Sequence, residues 1–432
     1  MYYVLSLLSL LFVLNGCSQK TVVQDNLIDD AKVNYFDSFD ALTFENTLHV
    51  DVNLSAFEAE YFKPWHFENA PHKLSKIMWP YHSYTKGRTY GSNLLLLDTS
   101  YYDALKEESN FDTFDSKQRF ALTLGFSHLR NFPTHRPVFR DPAKAGEGFP
   151  FDYNQNSAIH ANEPIYVSHF SQTKQWVYVF TSYASGWLPS HSIVFISNKH
   201  KKLWEHAKQI HIIKDDVSLK NQNDAFILKG RVGMILPLIS ETKSDYKVLV
   251  AVSNQSFEEV IIDKNSAVKR ALAFNTTNAL ALGNALINQN YGWGGLYEDR
   301  DCSSMLRDYF SVFGVWLPRN SFQQSLVGKV ISIKNMSDAQ KIDRIKKDGV
   351  AFQTLLYKRG HIMLYLGEYD GEIMIFHNTW GIKTLSEGKE GRYIIGKSII
   401  STLNLGSELK SYDSSANLLR NLERFNIVSV TP

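Results

Sequence analysis

Cysteine is almost missing from this chain: 432 residues hold two, Cys17 and Cys302. No cysteine or histidine spacing of the zinc-binding kind occurs, so neither a metal nor another cofactor is expected. Charge of one sign is also missing. The formal net charge is +2 at pH 7, and no Lys/Arg cluster is interleaved with aromatics, so nucleic acid is not an expected partner. Long hydrophobic runs are scarce: the longest, the N-terminal MYYVLSLLSLLFVLNG, is short for a bilayer span. What is present is ordinary. Apolar residues make up 44% and charged residues 21%, which allows sizeable cores and excludes global disorder. The length suggests roughly two to four domains.

The short apolar run has the size of a signal-peptide core. It ends in Leu14-Asn15-Gly16-Cys17, which resembles a lipobox, with cleavage before Cys17 and acylation of its thiol. Ser18 after the cysteine then implies an outer-membrane lipoprotein facing the periplasm of a Gram-negative envelope, tethered by its lipid. Cys302 is left as the one thiol in an oxidising compartment, where an unpaired cysteine calls for a use.

Texture divides the rest. Residues 18–50 read as a polar tether. Residues 51–132 carry helix-compatible stretches, SKQRFALTLGFSHLRNF among them, and read as a mostly helical domain. Prolines 133, 137 and 142 lead into short alternating runs such as QWVYVFTS and GWLPSHSIVFIS, which predict small β-barrels over 133–201 and 202–265, or else one larger sandwich. GWLP and GFPFDYNQ resemble parts of bacterial Src-homology-three-like barrels, and Asp152 and Trp187 within them are equally fit for peptide contact or for holding the fold. Residues 266–432 return to helix signals from Ala267 through Gln289, then a Gly-rich turn, a second helix and strands. The expected whole is a multi-domain α+β protein whose last domain is itself α+β.

Chemistry concentrates in that last domain. After Cys302, Met305, Leu306, Tyr309, Phe310 and Phe313 recur at helical spacing, with Asp301 placed as N-cap and Gly314 as the stop. Cys302 therefore heads a helix, where free N–H groups and the helix dipole favour a thiolate and an oxyanion. A thiolate needs a base, and the base needs an orienting partner. His361 opens one strand of GHIMLYLGEYDGEIMIFHNTW and His377 closes the next. A plain two-residue Asp370-Gly371 turn would put the two rings on opposite faces; a three-residue loop or a bulge would put them on one. His66, His72 and His206 lack such company and are expected to be surface or core residues.

YGWGG, DCSSMLRDYF, LPRNSFQQ, GHIMLYLG and IFHNTWG, in that order over the last third of the chain, resemble the NlpC family of papain-like cysteine peptidases of bacterial cell walls. The resemblance implies a papain-like C-terminal domain with Cys302 as nucleophile, His361 as general base and acid, His377 as orienting member and Tyr291 beside the oxyanion. It implies that Asp301 and Ser303 hold a free L-Ala amino group and that Ser321, with neighbouring Asn320, lies near the γ-D-Glu carboxylate; Arg319 is expected to be a structural ion-pair partner. The implied reaction is hydrolysis of the γ-D-glutamyl–meso-diaminopimelate bond of peptidoglycan stem peptides, by a monomer. Two other readings are an inactive wall-binding lipoprotein and an amidase or acyltransferase using the same thiol.

Overall fold

The computed structural model describes residues 32–44, 48–253 and 256–428; Cys17 and the lipobox lie outside them. The helical region holds α1 (Leu54–Phe62), α2 (Leu74–Ile77), α3 (Trp79–Tyr84) and α4 (Thr99–Glu108). Asn53 and Asp98 cap α1 and α4 by accepting from Ala56 N and Tyr101 N, as such residues do where the first turn leaves donors open.

Two seven-stranded antiparallel sheets follow, so the β-rich middle is two bodies rather than one sandwich. In chain order the first contains β2 (Arg119–Thr123), β3 (Ser127–Arg130), β4 (Gln155–Ile159), β5 (Pro164–Phe170), β6 (Trp176–Phe180), β7 (Ser185–Pro189) and β8 (Ile193–Phe195). The stretch 116–132 is thus not helical. Its first half forms β2 between β5 and β8, and Gly125 separates it from β3. Helical propensity loses here because Ala121, Leu122 and Leu129 are fully buried only in the paired arrangement. The helical region accordingly ends near residue 115, not 132. Asp152 and Trp187 hold the fold: Trp187 is fully buried, and Asp152 takes Arg130 Nη2 at 2.7 Å and the amides of Val138 and Asn154.

After α5 (Asn198–His206), the second sheet contains β9 (Gln209–Ile212), β10 (Val217–Asn221), β11 (Phe226–Gly230), β12 (Ile235–Glu241), β13 (Asp245–Ser253), β14 (Ser256–Asp263) and β15 (Ala267–Lys269). Ala267–Lys269, expected to begin a helix, pairs instead with β9, so the second barrel runs past 265.

The C-terminal domain opens with β16 (Phe274–Asn275) and α6 (Thr276–Leu286), followed by α7 (Cys302–Val312) and α8 (Ser321–Gln324). Then come β17 (Lys329–Ser332), α9 (Asp338–Asp348), β18 (Thr354–Lys358), β19 (His361–Tyr369), β20 (Glu372–Ser386), β21 (Lys389–Thr402) and β22 (Leu422–Ile427), in the sheet order β17-β22-β18-β19-β20-β21. The apolar stripe of α7 is fully buried against Ile362, Leu364, Met374 and Phe376; each such large side chain contributes about 2 kcal/mol by leaving water.

The expected tether is, in its described part, a packed strap. Phe39 rests against the Cα of Gly283 on α6, where a Cβ would come within 2.5 Å of its ring. Phe36 pairs with Ile400, and β1 (His49–Val50) with β16. Val33, Phe39, Leu42 and Leu48 supply the apolar side chains that bind the strap to the domain.

Candidate active site

The site is built where α7 begins. Asp301 caps the helix: its Oδ1 accepts from Ser304 N at 2.8 Å, while Ser304 Oγ takes the Asp301 amide at 2.9 Å. This reciprocal box fixes Cys302 in the first turn. The sulfur accepts from the backbone amides of Ser303 and of Ile362, the second residue of β19. Cys302 thereby sits at the start of the strand that His361 opens.

The thiolate expected from a helix start is not the resting state. Burial, and then the neighbouring Asp301 carboxylate, push the Cys302 thiol up to about 12, past the help of the two amides. His361 is held well below the usual imidazole value by burial, then by His377 and Lys358. Burial, then Lys358, lowers His377 to about 3. Burial thus favours the neutral form of the thiol and of both imidazoles.

The two rings lie on one face because of a bulge. Tyr369 pairs with Glu372 across a tight Asp370-Gly371 turn, which alone would separate them. Between Tyr365 and Gly367 the register slips by one, so Leu364 faces Phe376 and His361 becomes diagonal to His377. Gly367 carries this at φ +107, a region open to glycine. His361 Nε2 then meets His377 Nδ1 at 2.8 Å, and His377 Nε2 meets Ser401 Oγ at 3.1 Å. With the Ser401 hydroxyl directed at the Thr402 carbonyl, 3.0 Å away, its oxygen accepts from His377. That makes His377 Nε2 the protonated nitrogen and Nδ1 the acceptor for His361 Nε2–H. His361 Nδ1 is left bare, the state a general base requires. Ser401 and Lys358, which pairs with His361 across β18–β19, have no motif of their own in the sequence.

Arg319 locks the floor. Its Nη2 and Nη1 hold Asp301 Oδ2 and Oδ1 at 2.8 and 3.1 Å, Nη1 also reaches Ser303 Oγ at 2.9 Å, and Nε donates to Ser157 Oγ of β4 at 2.7 Å. The structural role expected for Arg319 is the observed one. It outweighs burial in keeping the Asp301 carboxyl below its ordinary value. Tyr291 lines the cleft near Cys302, and burial, then Asp301 and Cys302, push its phenol far up, so it stays a proton donor.

The first barrel closes on the Gly-rich turn. Gln155 Nε2 donates to Gly294 O at 3.0 Å, Trp293 Nε1 to Asp152 O at 3.0 Å, and a Cβ on Gly295 would stand 2.4 Å from that of Ala158. The charged turn after Leu296 docks on the second barrel through Glu298, 2.8 Å from Lys229. Above Cys302 opens a cleft of about 900 Å³, lined also by Tyr291, Asp301, Ser303, Asn320 and Ser321. Every expected cleft residue of the last domain except the histidine pair lines it; His361 follows the lining residue Gly360 at the head of β19, and His377 lies on β20. The opposite walls are Tyr153 and Tyr183 of the first barrel and Lys63, His72, Lys76 and Trp79 of the helical region. His72, expected to be a plain surface or core residue, is a cleft residue; no local pattern marks it because the wall forms only when distant segments meet. Among the described residues no cluster of metal-ligating side chains occurs.

A cysteine heading a buried helix, over a sheet that carries a paired-imidazole relay, defines the papain-like cysteine peptidase class. Residues 288–394 match the NlpC/P60 family, 6–114 its N-terminal stabilising domain, and 137–189 and 197–243 SH3 domains of the SH3b1 and SH3b2 types. The chain thus carries a C-terminal NlpC/P60 domain, preceded by the matching stabilising domain and two SH3b domains. Its fold is similar to that of an NlpC/P60 endopeptidase from Photobacterium damselae subsp. piscicida, with TM-score 0.79 and 23% identity over 93% of this chain and 99% of that one. An NlpC/P60 protein from Bacillus cereus ATCC 10987 matches at TM-score 0.43 and 16% identity, over 63% of this chain and 81% of that one. No curated protein matches.

Proposed function

We propose that the chain is a peptidoglycan endopeptidase that hydrolyses the γ-D-glutamyl–meso-diaminopimelate bond of stem peptides with a free N-terminal L-Ala. The observation that carries this reading is Cys302 at the floor of an open cleft, beside the head of a strand whose His361 is hydrogen-bonded to His377 at 2.8 Å. The family supplies the peptidase class, and the similar Photobacterium protein is an endopeptidase by name.

In this mechanism the neutral Cys302 thiol passes its proton to His361 Nδ1 as sulfur attacks the γ-glutamyl carbonyl. His377 accepts the hydrogen bond from the resulting imidazolium, spreading its charge toward Ser401. The oxyanion is met by the first-turn amides of α7 and the Tyr291 hydroxyl. His361 returns the proton to the departing amine of diaminopimelate, leaving a thioester. Water, deprotonated by the same imidazole, releases L-Ala-D-Glu and the free thiol. Asp301 and Ser303 receive the L-Ala ammonium, and Asn320 and Ser321, at the head of α8, the D-Glu carboxylate. The SH3b1 barrel forms one wall of the cleft, and the protein works as a monomer, held at the outer membrane by a lipid on Cys17 and facing the periplasm.

The test is a digest of defined muropeptides, with and without a free amino terminus, read by mass spectrometry. Release of L-Ala-D-Glu from the free form alone supports the assignment; binding without cleavage supports a wall-binding module, and other products an amidase or acyltransferase. Cys302→Ala is expected to abolish turnover with an unchanged thermal transition, and full residual activity would refute the nucleophile. Cys17→Ser is expected to move the protein from the membrane to the soluble fraction on cell fractionation.

A further inference from the structure

The charge lining the cleft is uneven. Asp301 is its one carboxylate, and both its oxygens are engaged by Arg319. The cationic side chains are Arg319, committed to that pair, and Lys63 and Lys76 on the helical wall. Lys63 has a counter-charge, Glu60 at 3.1 Å. Lys76 differs. Its Nζ lies 3.3 Å from His72 Nε2 and, among the described residues, within ion-pair distance of no carboxylate. Burial, and then Lys76 itself, lower the His72 pKa, so this ring is neutral and takes no part of the ammonium charge. The other side of the ring stands edge-on to Phe180 of the first barrel, centroids 6.0 Å apart. His72 thus props the ammonium at the seam between helical region and barrel, in a cleft whose one carboxylate, Asp301, is paired with Arg319.

A cleft wall that carries a cation with no carboxylate partner among the described residues is complementary to an anionic group of a ligand. We infer that Lys76, positioned by His72, is a specificity residue for a carboxylate on the departing side of the substrate, the part carrying the diamino acid's own carboxyl groups. This rests on the peptidase reading given above. The proposed function already assigns the L-Ala and D-Glu side to groups at the heads of α7 and α8, all in the C-terminal domain. The wall that Lys76 belongs to comes from a different region of the chain, and among the described residues it holds the one cleft cation without a carboxylate partner.

Two substrates decide it: L-Ala-γ-D-Glu-meso-diaminopimelate with free diaminopimelate carboxyls, and the same peptide with those carboxyls amidated. With the full-length protein, Lys76→Ala is expected to raise KM for the free acid about fivefold, the upper end for an ion pair open to water. KM for the diamide should move less than twofold, kcat should change less than KM, and Lys76→Arg should restore most of the loss. Equal effects on acid and diamide, or none on either, would overturn the inference. Binding of both peptides to Cys302→Ala protein, with and without Lys76→Ala, is measured by calorimetry so that turnover is not required. Acid-selective weakening there with no cleavage by the unmutated enzyme would sink the peptidase reading alone. Cleavage with a Lys76-independent acid preference would sink this inference alone.

Discussion

At the scale of single residues the site depends on which nitrogen carries which proton. Ser401 spends its hydroxyl hydrogen on Thr402 O, and that choice propagates through His377 to leave His361 Nδ1 unprotonated. Two consequences differ in size. His377→Ala removes the group that stabilises the imidazolium and fixes its tautomer, so kcat is expected to fall about 100-fold or more with a smaller change in KM. Ser401→Ala removes one hydrogen bond to a neutral ring, worth ~1 kcal/mol, and kcat should fall about fivefold. Steady-state kinetics on the tripeptide check both, and an equal loss in the two variants would mean Ser401 is doing more than orienting a ring. The same scale shows why the thiol rests protonated. Two amides aimed at a sulfur cannot outweigh its burial next to an anionic helix cap.

At the scale of elements, α7 was legible from its sequence. Its N-cap, its stripe and its stop at Gly314, with φ +74, are local facts that local structure reproduces. The histidine hairpin was half legible. The turn is the two-residue one that Asp-Gly suggests, yet a bulge at Gly367 reverses the parity, and no rule of alternation announces a bulge. The stretch 116–132 misled because its composition tolerates a helix, and strand pairing with residues 164–167 and 193–195 decided otherwise. The element most exposed to test is the Gly-rich turn. Gly295 sits at φ +86 with Ala158 where its Cβ would be. Gly295→Ala is therefore expected to destabilise the protein by about 2 kcal/mol or more, from left-handed strain and lost contact with β4. A thermal transition within a degree of the original would contradict that docking.

At the scale of the whole molecule, three bodies meet on one buried ionic node. Arg300 Nη2 holds Asp215 Oδ1 of the second barrel at 2.9 Å, and its Nε holds Asp308 Oδ2 of α7 at 2.8 Å. His160 Nε2 of the first barrel completes Asp308 at 3.1 Å. Burial alone would raise the Asp308 carboxyl, but His160 and Arg300 outweigh it and bring it far below its ordinary value. Elsewhere burial holds His169 and His211 at about 4 and His377 at about 3. The sign follows from which state takes up protons. Unfolded histidines bind protons below pH ~6.5, which the folded chain refuses, and unfolded carboxylates do so below pH ~4. Stability should therefore fall as pH drops from about 6.5, and fall again below about 4. Urea midpoints at a series of pH values check this, and a midpoint flat from pH 7 to 5 would contradict it.

The sequence by itself determined the chemistry-bearing helix and the order of its motifs, because each is written in neighbouring residues. Tertiary structure alone decided that the β-rich middle is two bodies, that the strap is packed, that burial favours the neutral thiol and that a distant helical wall with Lys76 and His72 lines the cleft above Cys302. Those outcomes depend on burial and on contacts between segments hundreds of residues apart, and neither quantity is a property of any short stretch of chain.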